Sequence, residues 1–373
     1  MIKDIAVSSV INSKRQKSLK LEMKTDKGIF SASIPSGTST GEHEAVEFSV
    51  DMVKKCLPKL KTFFIGEEES DIDNLLLKID DSNFQKIGGN FALAMSLCSA
   101  RSKTKNNLWE ITKSKTFPIH LTNMVGGGRH GGNTDFQEFL LFPKRAGAPS
   151  DSYKQVLEAY REIGSVLKRK NLFLGKNREC AWISKLDDIQ TLDLLSKFSD
   201  NFNIGIDCAS SSLWKSKYVY KNRALSTEKQ IDFLLDIIKT YKISYLEDPF
   251  HEEDFESFSL LTKKIGKRCL IVGDDLYCTN PDRLKIGIKK ESTNGIIIKP
   301  NQIGTLLKTK ETVDLAKKNK MATISSHRSR ETADTWLADL SIAFGSDLIK
   351  IGVEGFDKLK TDRLIYIWNK HVS

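Results

Sequence analysis

The chain has 373 residues, of which 39% are hydrophobic and 28% charged, the balance of a soluble globular protein long enough for one large barrel plus a smaller domain. Lys and Arg number 58 against 48 Asp and Glu, a net charge of +10, which suits an anionic partner, although a lysine-rich solvated surface is the plainer account. No one-sign block and no nucleic-acid motif occurs, so no nucleic-acid partner is expected. No signal-peptide core opens the chain and no apolar run approaches a membrane span. The six cysteines, Cys56, Cys98, Cys180, Cys208, Cys269 and Cys278, are scattered without zinc spacing. Unpaired thiols and a cytoplasmic protein away from the membrane are expected.

In chain order, "SLKLEMKTDKGIFSASIPSG" alternates around a turn and predicts a hairpin. "PSGTSTGEHE" reads as a loop with the small residues of a mobile lid, its hydroxyls able to reach a metal or phosphate. "AVEFSVDMVKKCLPKLKTFF" and "NFALAMSLCSARSKT" carry apolar residues at helical spacing. Residues 1–115 therefore read as a small α+β domain. From 116 to 373 short apolar strands recur, alternating with helical segments such as "TEKQIDFLLDIIKTY". The strands end near Asp207, Glu247, Asp274, Lys299, His327–Arg328 and Lys350, 23 to 40 residues apart. A strand–helix unit takes about 30 residues, and this many predict a parallel sheet closed into a (β/α)8, TIM-like barrel.

Functional residues of such barrels sit at the C-terminal ends of the strands. A lysine closing the buried strand "GIIIK" is either a snorkelling surface residue or a placed ammonium; six successive charged endings favour placement. Asp207, Glu247 and Asp274 repel one another unless a cation lies between them, and hard oxygen ligands select Mg2+ or Mn2+. Taken singly, each would more simply cap a helix or pair with a lysine. Lys299 or Lys350, partly desolvated beside a cation, can serve as general base toward an acidic C–H. A metal facing it would stabilise the enolate-like charge. Arg328, beside His327, offers a fork for phosphate or carboxylate. "GGGRHGGNTDFQEF" joins a glycine loop to His130, Gln137 and Glu138, though an ordinary loop would look the same.

"PSGTSTGEHEA", "FQEFLLFP", "IGIDCASS", "LEDPF", "VGDDLYCTNP", "IIKPNQIGT", "SSHRSRET" and "LIKIG" occur in one order, and through them the chain resembles the enolase family (phosphopyruvate hydratase) over nearly its whole length. The resemblance implies a small α+β domain before an α/β barrel. It also implies a magnesium-dependent, reversible dehydration of 2-phosphoglycerate to phosphoenolpyruvate in glycolysis and gluconeogenesis, with two Mg2+ per site. Asp207, Glu247 and Asp274 would bind the first ion and Ser39 the second. Lys299 would remove the C2 proton, and Lys350 would hold the substrate carboxylate with the metals. Arg328 and Ser329 would bind the phosphate. His130, Gln137, Glu138 and His327 match the remaining active-site positions.

Three departures stand out. The family's general-acid loop here reads "LGKNRECAWIS". Matching "RECAW" puts the acid at Glu179, with Cys180 in a glycine's place; matching "LG" would put Asn177 there. The agreement of Ala181 and Trp182 favours Glu179. Arg330 stands where the family has glycine, adding charge beside the phosphate site. "NSKRQKS" replaces a segment usually tied to the subunit interface, which puts the expected homo-oligomer, a dimer or larger, in question. The alternatives are a sibling lyase acting on another carboxylate and a weakly active or non-catalytic binding protein.

Overall fold

The computed structural model describes residues 1–38 and 41–372; Ser39, an expected metal ligand, lies outside the described residues. Strands β1 (Ile2–Ile11), β2 (Lys17–Thr25) and β3 (Gly28–Ser33) form an antiparallel sheet. The expected hairpin joins β2 to β3, with Thr25 paired to Gly28 across Asp26 and Lys27. The sequence pattern does not disclose β1. A register shift between Ile2 and Asp4 breaks the alternation, so Ile2 and Ile5 both face the core.

Two expected helices follow. The first, Val50–Phe64, starts only after Ser49, whose hydroxyl accepts the Met52 N–H. The second, Gly89–Thr104, is buried along most of its length because it packs on the sheet and also touches the barrel. Ser96 Oγ accepts the Leu306 N–H at 2.9 Å, and Arg101 makes a two-armed pair with Asp334. Trp336 Nε1 donates to the Ser33 carbonyl at 3.1 Å.

The later strands are β4 (Ile119–Gly126), β5 (Glu138–Pro143), β6 (Phe173–Lys176), β7 (Trp182–Ser184), β8 (Phe202–Asp207), β9 (Tyr218–Tyr220), β10 (Arg223–Leu225), β11 (Ile243–Glu247), β12 (Leu270–Gly273), β13 (Gly295–Ile298), β14 (Ala322–Ser326) and β15 (Leu348–Lys350). Eight of them form a ring in the order β4, β5, β8, β11, β12, β13, β14, β15, and β15 pairs with β4 to close it. The hairpin β6–β7 hangs from β4, and β9–β10 is a separate ribbon.

The expectation of an all-parallel barrel is corrected at one strand: β5 runs antiparallel to both β4 and β8. Only a short 3-10 turn, Gly128–His130, lies between β4 and β5. Parallel neighbours need a longer crossover, so the chain folds back instead.

Alternation along the strands divides the core. Leu140, Tyr245, Val272, Ile297, Ile324 and Leu348 pack together inside the ring, while Leu246, Ile296, Ile298 and Ile349 face the helices. A period of two then turns the next inward position toward the barrel mouth. That position is Glu247 after Tyr245, Asp274 after Val272, Lys299 after Ile297, and Lys350 after Leu348. In antiparallel β5 the same mouth is reached at the strand's start, by Glu138. The six cysteines are free thiols. Among the described residues no helix is long and apolar enough to cross a membrane.

Candidate active site

Register assembles the floor of the site. Glu138 pairs with Asp207, and Asp207 with Glu247, which sets three carboxylates side by side on β5, β8 and β11. Lys350 reaches all three from β15: its Nζ lies 3.0 Å from Glu138 Oε2, 3.1 Å from Asp207 Oδ2 and 2.8 Å from Glu247 Oε2. Tyr245 Oη donates to Glu247 Oε2 at 2.6 Å. On the neighbouring strands Lys299 Nζ donates to Asp274 Oδ2, and Gln302 Nε2 donates to Asp274 Oδ1 at 3.1 Å. Gln137 Nε2 donates to Asp207 Oδ2 at 3.4 Å. Lys299 is thus turned toward the acids. It lines, with Asp207, Asp274 and Lys350, a cavity of about 180 Å³, and Glu247 lies beneath.

One wall of that cavity comes from two loops. His130 Nδ1 is 3.3 Å from Glu179 Oε2 and 3.6 Å from Glu138 Oε1. Its glycine-rich loop needs its glycines: a Cβ on Gly127 would fall 1.5 Å from Thr134 Oγ1. In the β6–β7 loop the Asn177 side chain is engaged with backbone. Its Oδ1 accepts the N–H groups of Glu179 at 3.0 Å and Ala181 at 2.9 Å. Glu179 lines the cavity and Asn177 does not. Cys180 takes the left-handed conformation, φ 65°, a position where glycine fits without strain.

The edge at Arg328 and Ser329, the expected phosphate ligands, is built from more distant pieces. The Arg328 guanidinium grips Glu44, with Nη1 2.9 Å from Oε2 and Nη2 3.1 Å from Oε1. Ser329 Oγ accepts the Thr38 N–H at 2.9 Å. Glu331 secures this loop, accepting the N–H groups of Arg328 and Thr332, each at 3.0 Å, and buried Lys360 pairs with Glu331 at 2.9 Å. His327 Nδ1 meets Asp357 Oδ2 at 2.7 Å. The "NSKRQKS" segment docks here as well: Ser13 Oγ donates to the Ser329 carbonyl at 3.2 Å. Every expected site residue other than Ser39 therefore lies in or directly under one cavity. Contributors not singled out from sequence include Glu44, Tyr245, Gln302, Glu331, Asp357 and Lys360. Gln302 stands three residues after Lys299 and Glu44 sits inside the lid motif; nothing in the sequence marks Asp357 or Lys360.

The profile described as "Enolase, N-terminal domain" matches residues 2–112, and "Enolase, C-terminal TIM barrel domain" matches residues 114–367. The enolase of Archaeoglobus fulgidus is 35% identical, covering 98% of this chain and 97% of its own. The enolase of Thermoplasma acidophilum is 37% identical, covering 96% and 95%. That of Methanosphaera stadtmanae is also 37% identical, covering 98% and 96%. The chain belongs to the enolase family. As a member of that family it is an enzyme.

The donors fit a hard divalent ion. Asp207, Glu247, Asp274 and Glu138 outnumber the two lysines among them, and Glu247 Oε1 is buried with no hydrogen-bond partner among the described residues. Burial, followed by repulsion from Asp207, raises the Glu247 carboxyl to about 8. Burial likewise raises Glu138. A bound cation would reverse both shifts. Oxygens of Asp248, Asp274 and Asp275 lie within 4.8 Å of one another, as do the donor atoms of His130, Glu138 and Glu179. The expected trio Asp207, Glu247 and Asp274 does not form such a group among the described residues; Lys350 bridges Asp207 and Glu247, and Lys299 is paired to Asp274. Asp248 is already committed, accepting the N–H groups of Asp274 at 2.9 Å and Asp275 at 2.8 Å.

Burial works against the Lys299 ammonium, but the surrounding carboxylates, Asp274 first and then Glu247, together outweigh it and raise Lys299 to about 12. Burial also opposes the His327 imidazolium, and Asp357 outweighs it, to about 9. Glu179 is lowered, since His130 and His327 overcome its burial.

Proposed function

We propose that the protein is a magnesium-dependent phosphopyruvate hydratase, reversibly converting 2-phosphoglycerate to phosphoenolpyruvate in the cytoplasm. Lys299 removes the C2 proton. Asp207, Glu247 and Asp274 would hold one Mg2+, and Ser39 would help to hold a second. When bound, the ions supply positive charge that stabilises the negative charge developing on the substrate carboxylate. Lys350 orients that carboxylate; Arg328 and Ser329 bind the phosphate, with Gln137 and His327 near the substrate. Glu179, held low by His130 and His327 in the free protein, takes up a proton by way of the neighbouring His130 and Glu138, whose carboxyl burial raises, and delivers it to the departing 3-hydroxyl.

The observation that carries this reading is the placement of Lys299. Its ammonium is paired to Asp274 on the shared mouth, and β13 stands four strands around the ring from β5. The base and the Glu138–His130–Glu179 group thus come from opposite sides, which suits an anti elimination of a proton and a hydroxyl from adjacent carbons. Asp274, were it to hold a cation, would no longer favour the Lys299 ammonium, and the neutral amine a base needs would be easier to reach.

Absorbance of phosphoenolpyruvate, followed with 2-phosphoglycerate and Mg2+, tests the proposal. A rise that chelator abolishes and Mg2+ restores is expected. No rise at micromolar concentration of folded protein would contradict it.

A further inference from the structure

Beside the edge at Arg328 and Ser329 lies a second cavity of about 450 Å³, bordered by Ser13, Arg178, Cys180 and Ser329. Arg178 borders it, and two further cations stand one residue along the chain from its lining, Lys14 after Ser13 and Arg330 after Ser329. Lys14 comes from the β1–β2 turn, Arg178 from the β6–β7 loop, and Arg330 from the loop after β14. Lys14 Nζ donates to Thr38 Oγ1, and that hydroxyl is 2.6 Å from Ser329 Oγ. Arg330 is fixed by a backbone pair with Ser36, at 3.0 and 3.4 Å. Its Nε is buried and has no hydrogen-bond partner among the described residues. Burial lowers the Lys14 ammonium, and the nearby charges of Arg178 and Arg330 lower it further, against an upward pull from Glu179.

The acids around this cavity are otherwise engaged. Glu331 pairs with Lys360, Glu354 with Lys176, and Glu179 with His130. Glu47 feels the charge of Arg330 without pairing to it. Among the described residues no carboxylate lies at ion-pair distance from Lys14, Arg178 or Arg330. Like charges held together without a counter-ion repel one another, and an anion among them would remove that cost. Two guanidinium forks, an ammonium and neighbouring hydroxyls suit a phosphoryl group, whose oxygens accept several charged hydrogen bonds.

We propose that Lys14, Arg178 and Arg330 form a second oxyanion seat, adjoining the position at Arg328 and Ser329. Its occupant is either free phosphate or the second phosphoryl group of a bisphosphorylated carboxylate. Calling the adjoining position the substrate phosphate site rests on the proposed function; the seat itself does not.

Equilibrium dialysis with labelled inorganic phosphate, alongside calorimetric titration with 2-phosphoglycerate and 2,3-bisphosphoglycerate in Mg2+ buffer, tests it. Wild-type protein should bind two phosphates per chain. Arg330→Gly should bind one, and so should the double variant Lys14→Met/Arg178→Met, with folding confirmed by circular dichroism. The affinity for 2,3-bisphosphoglycerate should fall about tenfold, the weight of one lost charged hydrogen bond, with 2-phosphoglycerate little changed. A fall in the phosphate count alone assigns the seat to the free ion; a fall in bisphosphate affinity alone assigns it to the tethered group. No change in either, or an equal loss for 2-phosphoglycerate, overturns the seat. Dialysis needs no turnover, so a chain that forms no phosphoenolpyruvate yet loses one phosphate with Arg330→Gly would defeat the proposed function and leave the seat standing.

Discussion

The floor and the rim of the cavity are built by different means. On the floor, strand register sets Glu138, Asp207 and Glu247 side by side, and one lysine, Lys350, serves all three. At the rim each contact joins distant segments, as when Glu44 receives Arg328 from 284 residues away and Ser13 meets Ser329. Changes on the floor should therefore act on folding and on cation binding together. Changes at the rim should act on one chemical step or one ligand group.

The largest effect is expected from Lys350→Met. Buried carboxylates that lose their only shared cation cost about 3–5 kcal/mol, so thermal unfolding without Mg2+ should shift markedly downward. Saturating Mg2+ should recover more stability in the variant than in wild type. Equal Mg2+ gains in both would break the distinction drawn for the floor.

At the rim, Glu179→Gln should lower turnover by about 10²–10⁴-fold, the range of a general acid. Exchange of the C2 proton should survive better than turnover. Equal loss of both would move Glu179 out of the acid role. Asp357→Asn should act more mildly, through His327. Because the His327 pKa is raised in the fold, to about 9, from an unfolded value near ~6.5, its pair contributes stability fully below the unfolded value. That contribution fades as the pH climbs through about 9. The gap in Tm between wild type and Asp357→Asn should accordingly be widest below pH ~6.5 and narrow toward pH 9; a gap independent of pH would show that the pair is not charged. Cys180→Gly should have the smallest effect. Relief of the left-handed strain, about 1–2 kcal/mol, exceeds the added chain entropy, about 0.4–1 kcal/mol, so stability measured by denaturant should rise by up to about 1.6 kcal/mol.

The same contrast explains what could be read in advance. Asp207, Glu247 and Lys350 end their strands, and Asp274 and Lys299 follow theirs directly, so local pattern and barrel geometry sufficed to bring them together. The reversed β5 was not legible, because strand direction depends on whether the connection can cross over, and the glycine loop carries no helical pattern in either case. Asp357 and Lys360 lie on a helix with nothing in its sequence to single them out, and only folding carries them under the loop of Arg328 and Ser329. Gln302 and Glu44 stood within recognisable motifs, but their roles depend on Asp274 and Arg328 across the cavity.

The central claim is that the Lys299 amine takes a carbon-bound proton at the acidic mouth. Exchange of the C2 hydrogen of 2-phosphoglycerate with deuterated water, read by NMR in the presence of Mg2+, measures that step apart from dehydration. Wild-type protein should catalyse the exchange, and Lys299→Ala, folded and still binding Mg2+, should lose it. Exchange persisting in Lys299→Ala at the wild-type rate would contradict the account.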